Sequence, residues 1–318
     1  MSEIEDAESD FRSRMSYSDY LRLSELLGAQ SPLTDAHDEL LFIIQHQTSE
    51  LWMKLAIREI RAACTLIRAD GVQPAFTLLA RVARIFEQLN SAWDVLRTMT
   101  PSDYSEFRDR LGQSSGFQSW QYRAIEFLAG NRNLAMLRPH DHRPEIVADL
   151  TAILAEPSLY QEAILLLSRR GLDVGEAAQR AAAAEPHVEC EALISAWAEV
   201  YRDPAHHWDL YELAEKLIDF EDYLRRWRFN HVTTVSASNG AQAARRESAT
   251  SSACWRSNSF RNSGGCVRGC ERNPRDDRLH LLTWLCVKPA LLKISRPAGP
   301  TRSFVRNVTR PVRQDLDR

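Results

Sequence analysis

An aromatic ring, an imidazole and a hydroxyl recur at helical spacing in the segment FIIQHQTSELW. Phe42, His46 and Ser49 are separated by four and three residues, and side chains at these separations lie on one face of an α-helix. The pattern predicts an apolar wall that carries one imidazole able to exchange a proton near neutral pH. A structural histidine inside an apolar core gives the same pattern, and both interpretations stay open.

A phenol and a guanidinium share a second helical face in the segment DYSEFRDRLGQSSGFQSWQYR. Tyr104 and Arg108 are four residues apart, and an arginine can bind a carboxylate through two parallel hydrogen bonds. This pair therefore predicts a site for a carboxylate. A solvated charged face that includes Asp109 and Arg110 is the alternative.

A second histidine, His231, ends a run of aromatic and basic residues, DYLRRWRFNH. At the predicted end of a helix, its imidazole could be an axial ligand of haem iron, with arginines nearby to neutralise the haem propionates. A histidine that interacts with the helix dipole is the alternative. The sequence contains no HExxH motif, no paired CxxC motif and no glycine-rich phosphate loop.

Long helices must position these residues. Apolar residues recur at helical spacing from residue 36 to 69, which predicts one long helix with Thr34 or Asp35 as its N-cap. No alternating strand pattern competes, so the predicted fold class is all-α, a bundle of long antiparallel helices. The further predicted helices span 74–98, 118–129, 144–155, 158–168, 173–183, 187–201 and 205–229.

The distribution of charge divides the chain into an acidic body and a basic tail. Residues 1–235 carry 24 Lys and Arg against 37 Asp and Glu, whereas residues 236–318 carry 16 against 6. Helical periodicity ends after Val235, and a tail rich in Ser, Arg and Gly buries too little apolar surface to order itself. We therefore expect a flexible segment at 1–15, a helical domain at 16–235 and a largely irregular tail at 236–318.

The location of the protein is predicted from what the sequence lacks. No apolar run approaches the roughly 20 residues that cross a bilayer, and the N-terminus MSEIEDAESD is acidic, unlike an export signal. The six cysteines show no pairing pattern. These features predict a cytoplasmic protein with no membrane partner.

Three segments together resemble signature segments of haem-dependent tryptophan 2,3-dioxygenases. They are HDELLFIIQHQTSELWMKL at 37–55, FRDRLGQSSGFQSWQYR at 107–123 and RFNHVTTV at 228–235, in the family's order and with its spacing. SYSDYLRLSELLGAQ at 16–30 is similar to the family's N-terminal segment. The resemblance implies a helical bundle around a haem b pocket, assembled as a homotetramer. It also implies cleavage of the indole ring of L-tryptophan by O₂ to give N-formyl-kynurenine, the first step of the kynurenine pathway.

The resemblance also implies a role for each site residue. His231 becomes the ligand of the haem iron, and His46 becomes the catalytic histidine that positions the indole nitrogen. Phe42 packs on the indole ring, and Arg108 holds the amino-acid carboxylate. The other implied substrate-binding residues are Ile43, Ile44, Gln45, Tyr104, Ser115, Tyr17 and Tyr20, of which the last two reach the pocket of a neighbouring subunit.

The tail departs from the family pattern, which continues after RFNHVTTV into a loop of the form KRGTGGTSGVGYL and ends near ELFPELW. The DNA that encodes the tail can encode both strings in a shifted reading frame. In that frame each codon starts on the last base of the codon before it. In that frame, residues 239–256 permit KRGTGGTSGVGYLKRMLE and residues 258–270 permit ELFPELWRVRTGM. We interpret residues 236–318 as the product of a frameshift, which removes the loop expected to close over the substrate.

Three functions follow from these observations. The first is the dioxygenase, with impaired activity in this form of the chain. The second is a haem-binding protein without turnover, which the missing loop favours. The third is a nucleic-acid-binding protein, suggested by the arginine-rich tail. Because the shifted frame accounts for the composition of the tail, we expect no nucleic-acid partner.

Overall fold

The computed structural model describes residues 14–186, 188 and 190–247, with side chains up to residue 234. In these ranges the chain forms eleven α-helices and no β-strand, which confirms the all-α fold class. The helices are α1 (Tyr17–Leu21), α2 (Leu23–Leu27), α3 (His37–Arg68), α4 (Val72–Leu96), α5 (Pro101–Arg108), α6 (Trp120–Ala129), α7 (Pro144–Ala155), α8 (Leu159–Arg169), α9 (Ala177–Ala182), α10 (Glu191–Arg202) and α11 (Trp208–Glu247).

Three long helices, α3, α4 and α11, form the centre of the bundle. The short turn 69–71 reverses the chain between α3 and α4, which pack along each other, and α4 also packs along α11. Phe86 of α4 meets Phe220 of α11 edge to face, with ring centroids 5.5 Å apart. Burial of such apolar residues provides most of the driving force for packing the helices.

The start of α3 differs from the prediction. Its N-cap is Ala36, and neither Thr34 nor Asp35 caps the helix. Instead, the buried carboxylate of Glu39 accepts hydrogen bonds from the backbone N–H of Leu33 (2.7 Å) and from the backbone N–H of Thr34 (2.8 Å). A carboxylate in the first turn therefore fixes the chain that enters the helix, and these hydrogen bonds lower the pKa of Glu39.

The last helix, α11, extends beyond its predicted end at residue 229. It continues to Glu247, so His231 lies within the helix and not at its C-terminus, and Val235 lies within it as well. The segment 230–247 contains no proline, and it includes four alanines and two arginines, which favour helix. The predictions for residues 1–13 and 248–318 lie outside the described residues.

One apolar segment, Pro144–Arg169, is long enough to cross a membrane by length and composition. It is divided into α7 and α8 at residues 156–158, and 61% of its most apolar window is buried inside the protein. Leu150 and Ile164 are almost completely buried. We interpret the segment as two core helices of the bundle.

Candidate functional site

Phe42 and His46 lie side by side on α3, on one helical face as predicted. Their ring centroids are 4.2 Å apart, and Nδ1 of His46 lies 2.7 Å from the carbonyl oxygen of Phe42. The carbonyl can only accept, so Nδ1 carries the proton and Nε2 is left as an acceptor. Burial lowers the pKa of His46, against smaller opposing effects of this hydrogen bond and of Glu50. The imidazole is therefore held in its uncharged form.

Helix α5 brings two further rings against Phe42. Thr100 caps this helix by accepting a hydrogen bond from the backbone N–H of Asp103. The ring of Tyr104 lies 5.8 Å and that of the buried Phe107 lies 5.5 Å from the ring of Phe42. These three rings form an aromatic wall beside the imidazole of His46, suited to a planar apolar ligand.

Arg108 ends α5 next to this wall. Its charge acts on the phenol of Tyr104, and it donates from Nη1 to the carbonyl oxygen of Gly112 at 3.0 Å. Burial raises the pKa of the Tyr104 phenol, and the charge of Arg108 offsets part of that rise. A guanidinium has five N–H donors, so donors remain for a carboxylate beside the aromatic wall. Asp109 and Arg110 are exposed.

A tight turn beyond α5 lies against His231. Ser115 caps the 3-10 segment Gly116–Gln118 and accepts a hydrogen bond from the backbone N–H of Phe117 at 3.3 Å. A Cβ atom at Gly116 would lie 3.9 Å from Nε2 of His231. Nε2 of His231 therefore faces the backbone of this turn.

Two tryptophans hold the ring of His231. Trp227 stacks on it with centroids 5.7 Å apart and an interplanar angle of 5°, and Trp93 of α4 lies 5.6 Å away. Burial lowers the pKa of His231, and electrostatic interaction with His46, Arg123 and Arg228 lowers it further. The imidazoles of α3 and α11 are thus within electrostatic reach of each other.

The described residues fit the requirements of a haem with one protein ligand. The iron needs an uncharged imidazole nitrogen, and the macrocycle needs apolar or aromatic surroundings. His231 has a lowered pKa, and in the described part of the chain no hydrogen bond occupies its ring nitrogens. Phe42, Trp93 and Trp227 provide aromatic surfaces close to the two histidines.

The remaining predicted site residues differ in their exposure to solvent and in whether they contact the aromatic wall. Ile43 and Gln45 are half-buried on α3, whereas Ile44 is 46% exposed. Tyr17 and Tyr20, on α1, are 75% and 73% exposed, and no described ring contact joins them to the aromatic wall. The structure therefore gathers the residues of α3, α5, α11 and the Ser115 turn but leaves the two tyrosines of α1 apart.

The sequence interpretation missed residues that surround His231. Trp227 could have been found, because it lies four residues before His231 and thus on the same helical face. Trp93 lies within the predicted helix 74–98, and Phe107 and Gly116 lie within the segment 107–123, but none of the three was predicted as a site residue. No sequence pattern could have identified Glu126, since its ion pair with Arg228 joins two helices, α6 and α11, that are far apart in the sequence.

This arrangement defines an all-α protein whose site combines two uncharged imidazoles, an aromatic wall and a guanidinium. Comparison with known families agrees with it: the family described as tryptophan 2,3-dioxygenase matches residues 2–166 and 185–255. The chain belongs to the tryptophan 2,3-dioxygenase family. The matched range extends beyond Val235, to residue 255. The comparison therefore does not locate at Val235 the point where the sequence begins to differ from the family pattern.

Several bacterial proteins named tryptophan 2,3-dioxygenase are similar to this chain. The protein of Bradyrhizobium sp. strain BTAi1 is 69% identical over 231 residues, which are 73% of this chain and 83% of the relative. The protein of Ruegeria pomeroyi is 58% identical, with 73% and 83% covered. That of Burkholderia ambifaria strain MC40-6 is 56% identical, with 72% and 75% covered.

Proposed function

We propose that this chain is a haem-dependent tryptophan 2,3-dioxygenase, which adds both atoms of O₂ across the C2–C3 bond of the indole of L-tryptophan to give N-formyl-kynurenine. The observation that carries the proposal is the packing of Phe42 against His46 on α3 and against Tyr104 of α5, together with the packing of Trp227 and Trp93 around His231 on α11. Family membership supports the same reaction.

His231 would hold the haem b iron through Nε2. When bound, haem supplies the ferrous iron that activates O₂. Trp227 and Trp93 fix the plane of the imidazole by packing. The aromatic and apolar surroundings keep water from the bound group, which strengthens electrostatic interactions inside the site.

The substrate would lie between α3 and α5. Phe42 offers a face for the indole ring, and Nε2 of His46 can accept a hydrogen bond from the indole N–H because the proton of the imidazole is on Nδ1. Arg108 and the Tyr104 hydroxyl would bind the amino-acid carboxylate. We assign His46 to positioning the indole, since the reaction does not obviously require an acid or a base from the protein.

The functional assembly in this proposal is a homotetramer. Tyr17 and Tyr20 project from α1 with about three-quarters of their surface exposed, as expected for residues that complete the site of a neighbouring subunit. Leu27 is similarly exposed at 71%, and adjacent exposed apolar side chains are typical of a protein interface. A cytoplasmic location is part of the same proposal.

A haem-binding protein without turnover is the second candidate. The observation that favours it is the absence of a KRGTGGTSGVGYL-like loop after RFNHVTTV in the chain as translated. Loss of positioning by about 1 Å can lower a rate by roughly 10²-fold. In this second candidate function, the chain binds haem but does not turn over L-tryptophan.

Reconstitution of the full chain with haem separates the two candidates. The chain would be reduced, mixed with L-tryptophan and O₂, and followed by the absorbance of N-formyl-kynurenine and by the Soret band. We expect turnover in the wild type and loss of both signals in His231→Ala, with His206→Ala, an exposed histidine before α11, as the control. A Soret band without product would favour the second candidate. An unchanged spectrum in His231→Ala would contradict both.

A further inference from the structure

A buried carboxylate on α6 lies behind the proposed haem ligand. Glu126 is 3% exposed and pairs with two arginines, Arg123 on its own helix and Arg228 on α11, the latter at 3.7 Å. Asn131 donates a further hydrogen bond to it at 3.3 Å, and its charge adds to the rise that burial causes in the pKa of the Tyr122 phenol. Burying a carboxylate is costly unless it is paired in this way, so the cluster fixes the position of every group that contacts it.

The first connection from Glu126 reaches His231 through α11. The ring of Tyr122, which lies one helical turn before Glu126 on α6, is 4.7 Å from the ring of Trp227. Trp227 in turn is parallel to the imidazole of His231. Arg228 is the next residue of the same helix and pairs with Glu126 directly. Glu126 therefore ties α6 to the helical turn that precedes His231.

The second connection from Glu126 reaches the turn that faces Nε2 of the imidazole of His231. The guanidinium of Arg123, paired with Glu126, lies 4.6 Å from the centre of the Phe117 ring. Phe117 belongs to the turn whose Gly116 faces Nε2 of His231. One carboxylate thus contacts both the helix that carries the imidazole and, through Arg123, the turn that faces it.

We propose that Glu126 is a positioning residue that orients the imidazole of His231 and the turn Gly116–Gln118 toward a bound haem, an inference that depends on the proposed function. Glu126 does not touch the haem or the substrate in this proposal. It acts through Tyr122 and Trp227 on one side and through Arg123 on the other. Outer groups that orient a metal ligand change metal affinity by roughly 10–100-fold when they are lost.

The test compares buried glutamates in the full chain. Glu126→Gln keeps the size of the side chain and removes its charge. Glu59→Gln is the matched control, because Glu59 is also buried (8% exposed) and pairs with an arginine, Arg81, at 2.6 Å between α3 and α4. Haem affinity is measured by Soret titration, and the midpoint of thermal unfolding is measured without haem.

We expect Glu126→Gln to weaken haem binding at least about tenfold and Glu59→Gln to change it less than twofold, even if both lower the unfolding midpoint. Tyr122→Phe removes only the hydroxyl and should give a smaller loss of affinity, which tests the proposal if Glu126→Gln folds poorly.

The outcomes separate this inference from the proposed function. If His231→Ala abolishes the Soret band but Glu126→Gln behaves like Glu59→Gln, Glu126 is only a structural residue. The same conclusion follows if Tyr122→Phe leaves haem affinity unchanged. If His231→Ala keeps the wild-type spectrum, the proposed function is contradicted, and the inference about Glu126 is contradicted with it.

Discussion

The indole ring of Trp227 lies parallel to the imidazole of His231, with centroids 5.7 Å apart and an angle of 5° between the planes. The two residues are four positions apart on α11, which places them on the same face of the helix. Trp93 packs against both rings from α4. The orientation of the imidazole is therefore set by packing, and no hydrogen bond within the described residues fixes it.

Removal of this stacking should weaken haem binding. Aromatic pairs contribute about 0.5–1.5 kcal/mol beyond the area they bury, so Trp227→Leu should lower haem affinity by roughly 2–10-fold. Soret titration measures the change. Trp208→Leu is the control, because Trp208 lies at the start of the same helix and is 53% exposed. Equal losses in the two variants would show that the stack does not orient His231.

Arg108 should discriminate between ligands by their carboxylate. Arg108→Ala is expected to weaken L-tryptophan binding by about 1.5–3 kcal/mol, or roughly 10–150-fold, because a charge-assisted pair is lost. Tryptamine lacks the carboxylate and should lose much less. Calorimetric titration of the haem-loaded chain gives both values, with Arg110→Ala on the exposed side as control. Equal weakening for both ligands would assign Arg108 to supporting the turn through Gly112.

Glu221 should make the free energy of unfolding depend on pH. Burial raises the pKa of this α11 carboxyl to about 7, Arg225 at 3.9 Å offsets only part of the rise, and one carboxylate oxygen has no hydrogen-bond partner in the described part of the chain. Because the folded-state pKa lies above the unfolded value of 4.5, the native state retains a proton that the unfolded state releases. Its contribution to stability is complete below pH 4.5 and is lost as the pH rises through 7.

Glu221→Gln should therefore stabilise the haem-free protein more at pH 8 than at pH 5. The expected gain at pH 8 is up to roughly 3 kcal/mol, since the ionised carboxylate no longer has to be buried. Urea unfolding at the two pH values measures it. Glu87→Gln, a glutamate paired with Arg84 on the exposed side of α4, is the control. A gain that stays the same at both pH values would refute the burial of an ionisable carboxyl at this position.

Restoration of the reading frame after Val235 should increase both stability and turnover. One inserted or deleted nucleotide would encode a KRGTGGTSGVGYL-like loop in place of the present residues. We expect a higher midpoint of thermal unfolding and faster formation of N-formyl-kynurenine than in the present chain. A chain ending at Val235 is the control and should gain neither property. Equal turnover in the present and restored chains would contradict the frameshift interpretation of the tail.

Much of the helical architecture follows from local sequence patterns. The 3.6-residue periodicity predicted α3 and α4 within a few residues, and four-residue spacing predicted that Phe42 and His46 would share a face. The short helices α1 and α2 were not predicted, since they are too short for periodicity to be recognised, and α5 was indicated only by the four-residue spacing of Tyr104 and Arg108. The end of α11 was predicted at residue 229, whereas the helix continues to Glu247.

The sequence by itself determined the helices, the family resemblance and the pairs of residues that face the same way on one helix. These properties depend on neighbours within four residues, which the sequence lists directly. Only the tertiary structure decided that Tyr104 of α5 packs against Phe42 of α3, that Gly116 faces the imidazole of His231, and that Glu126 links α6 to α11. Such contacts depend on how helices pack side by side, and periodicity identifies the buried face of a helix without specifying which helix will cover it.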